Sequence, residues 1–457
     1  MTFSAPSRTI RVAIIGAGPA GFYAAIELVK KAGLHIEVDL FERLPAPFGL
    51  VRHGVAPDHL SIKKVVAKYV DVFATDRVRM FAHVNFGTDV THADLKVHYD
   101  AIVYAVGAQT DRPLGIPGEN LAGSLSATSF VAWYNGHPEF TDVPVDTHAE
   151  RVAVIGMGNV ALDVARILAK THRELHPSDI APHALELLKN NQIKEIHVIG
   201  RRGPVQAKWT LPELKEMADL EVTDIIVDAQ DMALDPISEA ERASDKVAAK
   251  NYAQMQVYAA RPPAGKPRQV HFRFWESPVE ILGEDGKVTA IKLERNQFVN
   301  GKLRGTGEFE VLPVSMVLRS VGYRGVALPE VPFDETNGII PNEQGRVLNP
   351  ETGTPLPFEY VAGWIKRGPC GVIGTNKMDA CESMQAFFED LTTLPLPEEP
   401  RPDITPLLES RNVDFIDYEH WQVIDHHERT LGSHHGRPRV KLVDKQVMID
   451  LGRSKKM

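Results

Sequence analysis

Cysteine is nearly absent from the chain: 457 residues contain two, Cys370 and Cys381. Two cysteines exclude a disulfide framework and any iron-sulfur cluster with four cysteine ligands. They form neither a CxxC nor a CxxxxC pair, which argues against an internal dithiol that accepts electrons. Two buried, inert thiols are the expectation. Long apolar runs are missing as well. No stretch approaches the roughly 18 to 20 residues that a membrane-spanning helix needs, and residues 1–10 lack a signal peptide's apolar core. A soluble, cytoplasmic protein is expected. Positive charge is also short, with 51 Lys and Arg against 60 Asp and Glu and a net charge of -9, so general binding to nucleic acid is not expected.

Hydrophobic residues make up 43% of the chain and charged residues 24%, ordinary values for a protein with sizeable cores. The length exceeds what one core usually organises and predicts two or three domains. A strand pattern at residues 10–15 runs directly into Gly16-Ala17-Gly18-Pro19-Ala20-Gly21, then a helical pattern ending before Gly33, then a strand at 36–41 that stops at Glu42. In such a unit the first glycine permits a tight turn and the second lets backbone approach a pyrophosphate. The third lets helix and strand pack closely, and the helix N-terminus faces the phosphates. Glu42 follows Gly21 by 21 residues, close to the expected spacing for an acid that binds a ribose hydroxyl.

The pattern restarts at residue 151. A strand at 152–155 leads into Gly156-Met157-Gly158-Asn159-Val160-Ala161 and a helix to Lys170, and a later strand at 195–199 ends in Gly200-Arg201-Arg202. Ala161 replaces the third glycine, a common variant. Paired guanidinium groups where an acid would read a ribose suit a 2′-phosphate, which predicts NADP rather than NAD. Arg201 lies 40 residues beyond Ala161, about twice the usual interval, with residues 171–191 inserted. Residues 265–325 read as short strands, a β-rich close to the second domain. A strand at 360–362, a glycine-rich turn and a helix at 377–391 follow. Residues 395–406, with five prolines, read as a linker or surface wrap, and 418–429 as one short helix.

Three runs carry a family resemblance. Residues 44–59 (LPAPFGLVRHGVAPDH), 155–163 (IGMGNVALD) and 363–369 (GWIKRGP) resemble the adrenodoxin reductase family, and within it the actinobacterial ferredoxin:NADP reductases, from Arg11 to about Lys441. The resemblance implies an α/β fold of two Rossmann-like three-layer domains. An FAD-binding domain is expected from residues 1–108 and 328–457, with an NADP-binding domain at 109–327 inserted into it. It implies FAD bound by Gly16, Gly18, Ala20, Gly21, Glu42, Leu50, Phe86, Trp364, Gly371, Val372 and Ile373. NADP(H) is expected at Gly156, Gly158, Asn159, Val160, Ala161, Arg201, Arg202 and Glu213, with Gly371 near the nicotinamide. His59, Asp163 and Glu216 are candidates for tuning the flavin or delivering a proton.

The function so implied is an electron-transport flavoprotein, a ferredoxin:NADP(+) oxidoreductase in which hydride passes from NADPH to FAD and single electrons go on to a ferredoxin or a similar acidic iron-sulfur carrier. Lys63, Lys64 and Lys68, at helical spacing, are candidates to face such a partner. His426, His427, His434 and His435 have no spacing that brings them together as ligands, and no metal is expected. One rival is the electron-input subunit of a larger oxidoreductase, such as the small subunit of glutamate synthase, which carries a cysteine-rich cluster domain. A non-enzymatic flavin redox sensor is the other, and it would not need Arg201 and Arg202.

Overall fold

Parallel strands buried on both faces read as continuous apolar runs, and IRVAII at Ile10–Ile15 is one of them. In the computed structural model, which describes residues 8–454, this strand lies inside a seven-stranded sheet. The strand order is Asn342–Glu343, Arg346–Leu348, Pro355–Val361, Ala101–Tyr104, Ile10–Ile15, Ile36–Glu42, Val78–Ala82. The last five are mutually parallel, and an antiparallel hairpin closes the first edge. Side-chain alternation splits the strand between two cores. Ile10, Val12 and Ile14 join the core that includes the helices Pro19–Lys30 and Thr375–Asp390, while Ala13 and Ile15 join the core on the opposite face.

The second sheet has six strands, all parallel: Ser124–Ser126, Met316–Arg319, Arg151–Ile155, Glu195–Ile199, Arg268–Arg273, Thr223–Val227. Its third layer is an antiparallel meander of Glu276–Glu284, Lys287–Val299 and Lys302–Pro313. Ile281, Val288, Ile291 and Leu293 of that meander pack on Ala153, Ile155, Ile199 and Val317. The insertion between Ala161 and Arg201 folds into two short helices, His172–Leu175 and Pro182–Leu188, the first opened by a Thr171–Glu174 capping box. That insertion doubles the usual interval between the glycine turn and the strand that follows.

By contact density the chain separates into two units, one of residues 1–55, 59–110 and 323–457 and one of 56–58 and 111–322. In the first, the helix Tyr418–His434 runs past residue 429, where the sequence pattern stops. Glu428 on it is fully buried and accepts from the two terminal guanidinium nitrogens of Arg52, at 2.9 and 2.5 Å, and from one of Arg439 at 2.9 Å. Burial works against its charge, and the two arginines overcome that and hold its carboxyl below the usual range. Among the described residues, no helix is long and apolar enough to cross a membrane.

Candidate functional site

Each glycine turn sits where a parallel strand meets a helix, and the space around each glycine separates its duties. Gly16 has φ +111°, and a Cβ there would stand 2.5 Å from the Ala105 carbonyl oxygen. A Cβ on Gly21 would meet the Gly16 carbonyl oxygen at 2.0 Å. Both glycines are required by the protein itself. Gly18 is different: its φ is -92°, and a Cβ there would have only the Gly49 Cα for company, at 3.8 Å. Nothing in the fold demands glycine at this position, and the open space lies at the N-terminus of the helix Pro19–Lys30, where a pyrophosphate would sit.

Residues 48–50 lie along this turn, because the Phe48 N–H donates to the Ala17 carbonyl at 2.8 Å and a Cβ on Gly49 would reach the Gly18 Cα at 3.0 Å. Leu50 opens the helical turn Leu50–His53 that follows. Glu42 accepts the N–H groups of Ala17 at 3.2 Å and Leu44 at 3.0 Å. Burial pushes its carboxyl up and the Leu44 and Ala17 N–H groups oppose that. Each of its oxygens thus accepts a backbone N–H, Oε2 that of Ala17 and Oε1 that of Leu44. Gly363, at φ +82°, brings the backbone so close to Ala20 that a Cβ would lie 2.6 Å from the Ala20 Cβ. The half-buried Trp364 therefore stands at the same turn, its indole N–H donating to the Cys370 carbonyl at 3.2 Å and its ring 5.3 Å from Tyr323. Phe86 packs on Tyr104 at 6.1 Å, in the core of the opposite sheet face.

Gly371 has a reason of its own to be glycine: φ is +80°, and a Cβ would meet the Thr375 hydroxyl at 2.6 Å. The same hydroxyl accepts the Val372 N–H at 3.1 Å. Val372 is exposed and Ile373 half-buried. The expectation of two buried thiols fails here. Cys370 is exposed and Cys381 half-buried, both free, because residue 370 rides on this protruding glycine-rich turn. Lys63 ends the short turn Leu60–Lys63, Lys64 is its C-cap and Lys68 lies on the next turn, Val66–Val70; Lys63 is half-buried. His59 is buried ahead of them, at the N-cap of the first turn. His426, His427 and His434 lie exposed on the helix Tyr418–His434, and the exposed His435 caps it.

The second unit repeats the division of labour. Gly156 has φ +135° and a Cβ there would strike the Ser320 carbonyl oxygen at 2.2 Å, whereas Gly158 has extended backbone and a Cβ would meet nothing within 4 Å. Asn159 starts the helix Asn159–Ala169, and its side-chain oxygen accepts the Thr210 N–H at 2.8 Å. Val160 and the buried Ala161 continue that helix. Arg201 and Arg202 are both exposed beyond the strand Glu195–Ile199.

Asp163, Glu213 and Glu216 share one cation that sequence reasoning missed. Arg166, 1% exposed, holds Asp163 at 2.8 Å and places Glu216 at 3.6 Å and Glu213 at 3.8 Å. It also grips both oxygens of Asp58, at 2.8 and 3.0 Å, and Lys170 adds a third bond at 2.6 Å. Burial opposes the Asp58 charge, but Arg166 and Lys170 outweigh it and hold that carboxyl far below the usual range. The i,i+3 spacing of Asp163 and Arg166 was the one signal available in the sequence.

Two strand, glycine-turn and helix units, each with an open cradle at its second glycine, define the class: an oxidoreductase fold for two dinucleotides. The family described as "Pyridine nucleotide-disulphide oxidoreductase" matches residues 10–202. NADPH-ferredoxin reductase FprA of Mycobacterium tuberculosis is 45% identical over 97% of this chain and 99% of its own. The mitochondrial NADPH:adrenodoxin oxidoreductase of Arabidopsis thaliana is 39% identical over 96% and 95%. A solved structure of Mycobacterium tuberculosis FprA in complex with NADPH superposes with a TM-score of 0.91 at 44% identity, over 97% of this chain and 100% of that one. The chain belongs to the family of NADPH-ferredoxin reductases to which FprA and adrenodoxin reductase belong.

Proposed function

We propose that this protein is a ferredoxin:NADP(+) oxidoreductase that carries FAD in its first unit and binds NADPH in its second. The observation that carries the reading is the pair Gly18 and Gly158, each at a strand-to-helix turn, in a backbone conformation that any residue adopts and with open space where a Cβ would stand. In the first unit the N-terminus of the helix Pro19–Lys30 receives the FAD pyrophosphate at Gly16, Gly18, Ala20 and Gly21, and Glu42 holds its ribose. Leu50, Trp364 and residues 371–373 border the ring, with Phe86 farther out. In the second unit Gly156, Gly158, Asn159, Val160 and Ala161 receive the NADPH pyrophosphate, and Arg201 and Arg202 the 2′-phosphate. We assign residues 1–108 and 328–457 to the FAD domain and 109–327 to the NADP domain.

FAD, when bound, supplies the conversion of a hydride into single electrons. The chain supplies alignment and charge. Arg166 keeps Asp163, Glu213 and Glu216 gathered on the nucleotide side, where negative charge favours the cationic nicotinamide left after hydride departs. His59 holds or delivers a proton. A small acidic iron-sulfur protein in the cytoplasm receives the electrons, and Lys63, Lys64 and Lys68 offer it positive charge.

The test has two stages. Extraction of the purified protein is expected to yield FAD, and anaerobic mixing with NADPH to bleach it faster than NADH does. Addition of a small [2Fe–2S] or low-potential ferredoxin then restores the yellow colour. A colourless protein, FMN in the extract, or a flavin that NADPH does not reduce overturns the reading.

A further inference from the structure

The chain from Arg201 to Glu216 visits, in order, three chemically distinct places. It starts at the paired arginines, passes the glycine turn, and ends at the two carboxylates beside Arg166. At the midpoint stands Lys208. Its N–H donates to the Met157 carbonyl at 2.7 Å and it pairs in parallel with Gly158, the glycine with the open cradle. Two residues on, the Thr210 N–H is tied to Asn159 at 2.8 Å. The backbone of residues 208–210 is thus fastened along the turn itself.

The direction of the side chain follows from alternation in extended backbone. Ala207 and Trp209 are buried, with the Trp209 carbonyl held by Asn251 at 2.8 Å, so Lys208 faces outward. Its side chain is 72% exposed, and among the described residues its ionic neighbour is Glu241, at a loose 3.9 Å. Glu241 already accepts from Gln206 at 2.9 Å. Adjacent parallel backbones lie about 4.8 Å apart, and a lysine stem spans roughly 6 Å, so the ammonium reaches the space above Gly158 without any movement of the backbone.

We propose that Lys208 is a third cation of the coenzyme site, a ligand of the dinucleotide pyrophosphate that works beside the 2′-phosphate pair Arg201 and Arg202. The inference rests on the assignment of this unit to NADPH. On binding, the ammonium leaves Glu241 for the phosphates, a charge-assisted contact in place of a long one.

The test is titration calorimetry on the FAD-loaded enzyme with two probes, NADP+ and 2′-AMP, the second of which has a 2′-phosphate and no pyrophosphate. Lys208→Met is expected to weaken NADP+ by about tenfold, to flatten the salt dependence of its binding, and to leave 2′-AMP unchanged. Lys208→Arg keeps NADP+ within about threefold of the parent. Glu241→Gln, which frees the lysine, binds NADP+ at least as tightly as the parent. Unchanged NADP+ binding in Lys208→Met overturns the proposal, and equal losses for NADP+ and 2′-AMP assign the lysine to the 2′-phosphate instead. A Glu241→Gln loss as large as that of Lys208→Met shows a disturbed segment and also overturns it. If the parent protein binds neither probe, the NADPH reading of the unit fails first and the role of Lys208 falls with it.

Discussion

Gly158→Ala separates a glycine kept for a ligand from one kept for the fold. The backbone at Gly158 is extended, with φ -116° and ψ 175°, and an added methyl meets no atom within 4 Å. Replacing glycine in a conformation that alanine adopts freely stabilises by about 0.4–1 kcal/mol, because the unfolded chain loses freedom. Melting should therefore rise by about 1–3 °C. The same methyl occupies the cradle at the helix N-terminus. Displacing a pyrophosphate from one or two charge-assisted N–H bonds costs about 3 kcal/mol, roughly 10²-fold in the Kd for NADP+. Gly156→Ala must behave oppositely: at φ +135° with the Ser320 oxygen 2.2 Å from the new carbon, strain and overlap together cost several kcal/mol and lower melting by about 10 °C. Thermal unfolding with parallel NADP+ titration of the two variants decides the matter. A Gly158→Ala enzyme that is stable and binds NADP+ as the parent does would refute the reasoning, since the open space would then hold no ligand.

Changing Arg201 and Arg202 together to Ala should lower kcat/KM for NADPH by about 10²-fold or more while NADH changes little; equal losses for the two coenzymes would remove the 2′-phosphate assignment. Arg166→Met leaves buried carboxylates without their cation, at a cost of about 3–5 kcal/mol, seen as a melting drop of about 10 °C. The folded-state pKa of Asp58 is depressed, so the stability it contributes is present above about pH 4 and is lost as pH falls below that value. Between pH 5 and 3 the parent's melting temperature should thus fall more steeply than the variant's, and equal slopes would contradict this linkage. Gly371→Ala, strained by φ +80° and by Thr375, should slow flavin reduction by NADPH by about tenfold or more. Reoxidation by ferredoxin after photochemical reduction should slow less, and equal slowing of both steps would mark Gly371 as a turn glycine only.

Both glycine turns were legible because their logic is local. A strand period, two or three glycines and a helix period fall within about 20 residues, and the structure places every one of those parts at a strand-to-helix junction. What periodicity does not carry is which of two equivalent-looking glycines the fold itself requires. Gly16 and Gly18 differ in the Ala105 carbonyl, supplied by the residue that follows the strand Ala101–Tyr104, almost 90 residues farther on. The β-rich close of the second domain was legible as strands, whereas its packing as a third layer on Ala153 and Ile199 was not. The exposure of Cys370 escaped notice because thiols are buried on average, and average burial says nothing about a residue lifted onto a turn.

The remaining misses share one cause, which is charge inside the protein. The helix Tyr418–His434 looks finished at residue 429 because Glu428 interrupts its apolar stripe, yet Glu428 faces the core, made tolerable there by Arg52 from 376 residues away. Arg166 looks like an ordinary polar residue on a helix, yet it is the buried centre of four carboxylates, one of them 108 residues earlier in the chain. A charge is expensive to bury alone and affordable when paired, so its location is decided by partners that sequence distance hides. A pattern search that counts charges as solvent-facing therefore fails at the positions where this fold gathers charge on purpose. Three of the four carboxylates that Arg166 gathers, Asp163, Glu213 and Glu216, are candidates from the sequence on other grounds, and Arg166 is a partner common to all three.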